Sequence, residues 1–182
     1  MVNYPEQKER EYQNTLVTRF QNELGYDYLG NWKYPKGSTV NKMGKSNAPI
    51  LDEEVRRFLR EQGRTDMQIE DVLTQLKDKA RLGDAKPSSL TQCNTDLYDT
   101  LIMGIKSQPS PDATHEDVML FDFDKVYNNH FAIAEEVSYI DPLLGKNKRP
   151  DIVVYVNGIA LAVIELKRSL VNYEEGIRQH LS

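Results

Sequence analysis

Apolar residues recur at helical spacing through the first hundred positions, and in alternating or short continuous runs after them. Over residues 6–24, Tyr12, Leu16, Phe20 and Leu24 fall four apart, the stripe of an amphipathic helix, and Gly25 stands at the expected cap position. A strand is expected to start at 26–28, and residues 35–49, rich in Gly, Ser, Asn and Lys without a period, read as a long exposed loop. Residues 51–62 and 66–81 are two more helices with acidic first turns, joined at Gly63-Arg64-Thr65 as an αα-hairpin. Leu90, Cys93, Leu97, Leu101 and Ile105 place another helix over 88–105, so 51–106 is a helical block whose stripes serve core packing. Beyond a Pro-, Ser- and Asp-rich loop at 108–116, strands are expected at 118–123 and 131–140, joined through Tyr127-Asn128-Asn129. A basic connector at 142–150 leads to an apolar hairpin at 151–167, and 173–182 starts a helix.

Composition narrows this little. A chain of 182 residues, 39% apolar and 28% charged, is the size of one domain and can bury a core without disulfides or structural metal. The single Cys93 cannot form an internal disulfide, and His115, His130 and His180 lie too far apart for a zinc motif, which favours a reducing compartment. The sequence near Met1 has no apolar signal core, and the longest apolar run, 159–164, is too short to span a bilayer, so the expected location is the cytoplasm. A formal charge of −5 argues against simple nonspecific nucleic-acid binding. Gly44-Lys45-Ser46 imitates a phosphate-binding loop, but a Walker motif needs glycine five residues before Gly44, where Thr39 stands. It reads as a basic loop.

The chemistry concentrates in the hairpin. Its first strand opens with Asp151 after Arg149-Pro150, its turn is Asn157-Gly158, and its second strand ends Glu165-Leu166-Lys167. Carboxylates emerging from apolar strands need a partner such as a metal ion. Two such acids form a minimal Mg²⁺ site, and a lysine beside them can orient water or offset phosphate charge. Glu165 and Lys167 share a strand face. With a strict two-residue turn residue 164 faces Asp151, which then points away from Glu165. A three-residue loop at 156–158 pairs 151 with 163 and makes Asp151 and Glu165 diagonal neighbours, roughly 7–8 Å apart. Apolar pattern cannot select the register, because both faces of both strands are greasy. The expectation is therefore the odd-residue loop or an equivalent bulge. Read without catalysis, Pro-Asp is a strand-entry turn and Glu165 and Lys167 a solvated strand end.

Pro150-Asp151, an apolar hairpin and Glu165-Leu166-Lys167 resemble the PD-(D/E)xK nuclease motif. The longer match, 149–158 through Val163-Ile-Glu-Leu-Lys, resembles the N-terminal endonuclease domain of type I restriction enzyme R subunits. Leu120-Phe121-Asp122-Phe123 followed by Asn128-Asn129-His130-Phe131 is similar to the strand pair those subunits place before the catalytic hairpin, and 174–182 looks like the helix after it. The resemblance implies an α/β fold, a restriction-endonuclease-like mixed β-sheet flanked by helices with a helical insertion. It implies metal binding by Asp151 and Glu165, a catalytic Lys167, support from Gln179, and an acid from the first helix, for which Glu11 is the nearest candidate. Lys148 and Arg149 are candidates for phosphate contact.

It further implies a single nuclease-domain fragment over 1–182: first helix 5–24, helical block 51–106, and catalytic sheet with its following helix 118–182. A helicase motor is expected beyond residue 182. Mg²⁺ is the expected cofactor, with ATP used only by that motor. The expected partners are double-stranded DNA and the modification and specificity subunits of the restriction complex. The alternatives are another PD-(D/E)xK repair nuclease, or a non-catalytic nuclease-like docking module in a helicase complex.

Overall fold

The computed structural model describes residues 4–34, 49–80, 90–140 and 145–166. Helix α1 (Tyr4–Asn22) is followed by β1 (Asp27–Asn31), then by α2 (Asp52–Glu61), α3 (Asp66–Ala80) and α4 (Leu90–Met103). Strands β2 (Ile105–Ser107), β3 (Glu116–Val118), β4 (Phe131–Glu135), β5 (Tyr139–Ile140), β6 (Asn147–Lys148), β7 (Ile152–Val156) and β8 (Ile159–Ile164) complete the order. The main sheet runs β1-β4-β7-β8, with β1 parallel to β4 and the remaining pairs antiparallel. Two small ladders, β2-β3 and β5-β6, lie outside it.

Helix α1 ends where glycine allows it. Gly25 has φ 71°, and the Tyr26 N–H returns to the Phe20 carbonyl at 2.9 Å, closing the last turn. The buried face of α1, however, is not the stripe read from spacing. Gln13 and Val17 are buried and Leu16 and Phe20 half-buried, while Tyr12 and Leu24 are exposed. The face that meets the sheet is centred about one residue further along than the Tyr12 register, because it must also accommodate the polar Gln13.

The αα-hairpin is built as its sequence predicts. Thr65 and Gln68 form a reciprocal capping box, with Thr65 N–H on Gln68 Oε1 at 3.1 Å and Gln68 N–H on Thr65 Oγ1 at 3.3 Å. Arg56 bridges the two helices through both oxygens of Glu70. Val55, Phe58 and Leu59 of α2 and Ile69, Val72, Leu73 and Leu76 of α3 form one core with Ile105, Val118, Leu120, Phe121 and Ile159. The helical block is thereby packed on the turn end of the β7-β8 hairpin.

Three expected boundaries shift. Helix α4 stops at Met103, because Gly104 turns left-handed at φ 80°, so Ile105 continues the apolar stripe from a strand. The strand expected over 118–123 is instead β3 at Glu116–Val118, followed by turns. There Asp122 draws the backbone into a tight loop by accepting from the N–H groups of Asp124 and Lys125 and from the Asn128 amide. The Lys125 N–H, then Asn128, holds the Asp122 carboxyl below its ordinary range. The sequence 131–140 is likewise two strands, interrupted where Glu136 adopts φ 56°.

The hairpin turn itself docks on α2. Leu51 N–H donates to Gly158 O at 2.7 Å, Ala160 N–H donates to Pro49 O at 2.8 Å, and Ile50 bridges Ile159. A Cβ on Gly158 would lie 2.7 Å from Glu54 Cβ and 2.8 Å from Leu51 O, at a φ of 82°. Gly158→Ala is therefore expected to cost about 3 kcal/mol, adding displacement of α2 to the roughly 1–2 kcal/mol of left-handed strain. Gly63→Ala, with φ 74° and open space around it, is expected to show the strain alone. Urea denaturation of the two variants measures the difference.

Candidate active site at the open end of the β7-β8 hairpin

Asn157 at φ 50° and Gly158 at φ 82° are both left-handed, the conformation of the two-residue turn that matches strand twist. Pairing begins regularly, with Val156 opposite Ile159 and Tyr155 opposite Ala160. The register then shifts, and Val154 faces Ala162, Val153 faces Val163 and Ile152 faces Ile164. Leu161 is thus an extra residue in β8, a β-bulge. The turn has two residues rather than the three expected, and the bulge supplies the odd one.

Continued by one residue, this register sets Asp151 directly opposite Glu165 instead of diagonal to it. Directly opposed side chains leave their Cβ atoms about 5 Å apart, closer than the diagonal estimate. Asp151 Oδ2 accepts the Leu166 N–H at 2.6 Å, which ties the two strand ends together beside Glu165. Both acids are half-buried. Like charges facing one another across a ladder are unfavourable, and a cation between them reverses the sign.

The main chain at Asp151 is fixed from two other elements. Its carbonyl accepts the Gln13 Nε2–H from α1 and the Glu136 N–H from the end of β4, each at 3.1 Å. Around this point lies a charged cluster. Glu135 is buried on β4, accepts the Tyr28 hydroxyl and meets Arg10 at 3.4 Å. Burial, then Glu135, pushes the Tyr28 phenol above its usual range. Glu136 meets Arg149 Nε at 2.8 Å and Arg10 at 3.9 Å.

The structure also places the two phosphate-contact candidates and the helix acid. Arg149 pairs with Glu136 while its side chain stays 47% exposed, and Lys148 is half-buried in β6 opposite Tyr139. Glu11 is exposed on α1, about 200° around the helix from Gln13, and so points away from Asp151. Lys167 and Gln179 lie outside the described residues. Sequence reading missed Gln13, Glu135 and Glu136. The adjacent acids closing the apolar run Phe131-Ala-Ile-Ala were a signal for the last two, whereas a lone glutamine on a helix gave none.

Among the described residues no group of three or more His, Cys, Asp or Glu side chains is placed to hold a metal. The donor set at the hairpin is two carboxylates. Hard oxygen donors in that number suit Mg²⁺, which keeps several waters and binds through one or two carboxylates. Also among the described residues, no helix is long and apolar enough to cross a membrane.

A mixed four-stranded sheet flanked by helices is a nuclease-like α/β fold of the restriction-endonuclease kind. The chain belongs to the family described as the N terminus of type I restriction enzyme R proteins, which it matches over residues 6–182. It is also 36% identical over 75 residues to a protein of Methanocaldococcus jannaschii named as a type I restriction enzyme MjaIXP endonuclease subunit. That alignment spans 39% of this chain and 7% of the relative.

Proposed function

We propose that the chain is the metal-dependent DNA endonuclease domain of a type I restriction R subunit. It would hydrolyse phosphodiester bonds of unmodified double-stranded DNA within an ATP-driven translocating complex that includes modification and specificity subunits. The observation that carries this reading is the hydrogen bond from Leu166 N–H to Asp151 Oδ2, which ties the Asp151 side chain to the strand end that bears Glu165. Membership of the R-protein family supports the nuclease assignment and the choice of DNA as substrate.

In this reading Asp151 and Glu165 hold Mg²⁺, and Lys167 orients the attacking water or offsets phosphate charge, with Gln179 supporting them. The chemistry a divalent cation supplies in such a site is polarisation of the phosphate and acidification of a bound water. The protein's part is geometric: Leu166 N–H fixes one Asp151 oxygen, and in this reading the bulge brings Glu165 to the same face. Motor activity and ATP use belong to a helicase region expected beyond residue 182.

A thermal-shift titration tests the site. Mn²⁺ at about a hundred times its Kd is expected to stabilise the chain by about 2.7 kcal/mol, a rise of roughly 5–10 °C in melting temperature. Asp151→Ala removes the rise. An equal rise in the variant would place metal binding elsewhere and defeat the proposal.

A further inference from the structure

We infer that Gln13 is a positioning residue for the Asp151 carboxylate, acting through the Asp151 backbone. Its side chain is buried, with 3% exposure, on the face of α1 that meets the sheet. A buried primary amide there is costly unless it is hydrogen-bonded, and valine or leucine would serve packing alone. Its bond goes to a residue 138 positions away, the carbonyl of Asp151 at 3.1 Å.

That carbonyl receives a second donor, the N–H of Glu136, at 3.1 Å. A carbonyl oxygen has two lone pairs, so the two donors use its full capacity. Glu136 delivers its N–H from a left-handed conformation, φ 56°, which a glutamate adopts only when its surroundings hold it there. Arg149 and Arg10 supply that hold on its carboxylate. The peptide after the Asp151 Cα is therefore fixed from two directions before the carboxylate is considered. Asp151 Oδ2 then receives the Leu166 N–H at 2.6 Å. Helix α1 thereby sets the azimuth of a side chain whose partner, Glu165, stands on another strand.

The inference rests on the reading of Asp151 and Glu165 as a metal site, and two measurements on the 182-residue chain separate them. Gln13→Met roughly keeps volume and burial and removes the amide, and with it the N–H donors. It is expected to accelerate hydrogen exchange of the Leu166 amide at least tenfold, leaving amides of α3 within about twofold of wild type. Calorimetric titration with Mn²⁺ alone is expected to give a Kd at least tenfold weaker. Gln13→Glu, which keeps the shape and turns the donor into an acceptor facing the carbonyl, is expected to do the same, and decides the matter if the methionine variant does not fold.

A Leu166 exchange rate unchanged in both variants overturns the inference. So does acceleration spread equally over Leu166 and α3, because that is the mark of a merely structural glutamine. Equal Mn²⁺ binding by wild type and Asp151→Ala defeats the metal reading instead, and Leu166 exchange still reports whether Gln13 positions Asp151.

Discussion

Asp151→Ala is expected to slow Mg²⁺-dependent cleavage of plasmid DNA, measured with the full-length subunit in its assembled complex and ATP, by at least about a thousandfold. A factor of that size corresponds to about 4 kcal/mol of transition-state stabilisation, which is what loss of one carboxylate from a two-carboxylate metal site removes. Folding should survive, because the contacts that fix residue 151 from α1 and β4 are made to its backbone carbonyl, which alanine retains. A side-chain bond lost within the protein is that to Leu166 N–H, about 1 kcal/mol. On the proposed function, translocation and ATP hydrolysis by the complex should continue while cutting stops. Cleavage within tenfold of wild type would remove Asp151 from the chemistry.

Asn157→Ala should have the largest effect on stability. The side chain is 1% exposed and ties the hairpin turn to the 120–130 loop. Its amide donates to Leu120 O at 2.9 Å and to Asn129 Oδ1 at 2.8 Å, and its oxygen accepts the His130 N–H at 2.7 Å. Truncation leaves two acceptors and one backbone donor buried without these partners, each worth about 1–3 kcal/mol, and alanine at φ 50° adds roughly 1 kcal/mol of left-handed strain. A loss of about 4 kcal/mol or more is expected, a large part of the 5–15 kcal/mol typical of a domain. Melting temperature should fall by roughly 10 °C. Asn157→Gly, free of the strain, should recover about 1 kcal/mol and no more. A loss below about 1 kcal/mol in Asn157→Ala, by urea denaturation, would show that the network does not hold the hairpin.

What could be read in advance divides along physical lines. Asn157-Gly158 was legible as a turn because few dipeptides accept two left-handed residues in succession, and Asp151 and Glu165 because charges at the ends of apolar strands are conspicuous. That same dipeptide concealed a second role, since turn chemistry says nothing about where the asparagine amide goes. Gln13 was invisible for a related reason: helical periodicity sorts residues by polarity and assigns a glutamine to solvent, whereas its partner here lies 138 residues away. The segment 118–123 looked like a strand from Val118 to Phe123, but Asp122 captures nearby backbone N–H groups and competes successfully with ladder formation. The register of β8 could not be chosen from pattern. Once Val163 and Ala162 are both apolar, hydrophobic pattern accepts either face.

The bulge at Leu161 gives the hairpin two independent ends. At one end the turn is locked to α2 and the 120–130 loop by Gly158 and Asn157; at the other, Asp151 Oδ2 accepts the Leu166 N–H. A strand without the bulge would transmit any one-residue change at the turn to the acids as a reversal of face. With a spare residue between them, the count can change by one without altering which side Glu165 takes. Deleting Leu161 would leave a regular ladder with the same two acids opposed. The hairpin thus carries its own phase correction, and the docking surface at the turn can be remodelled without moving the acids at the far end.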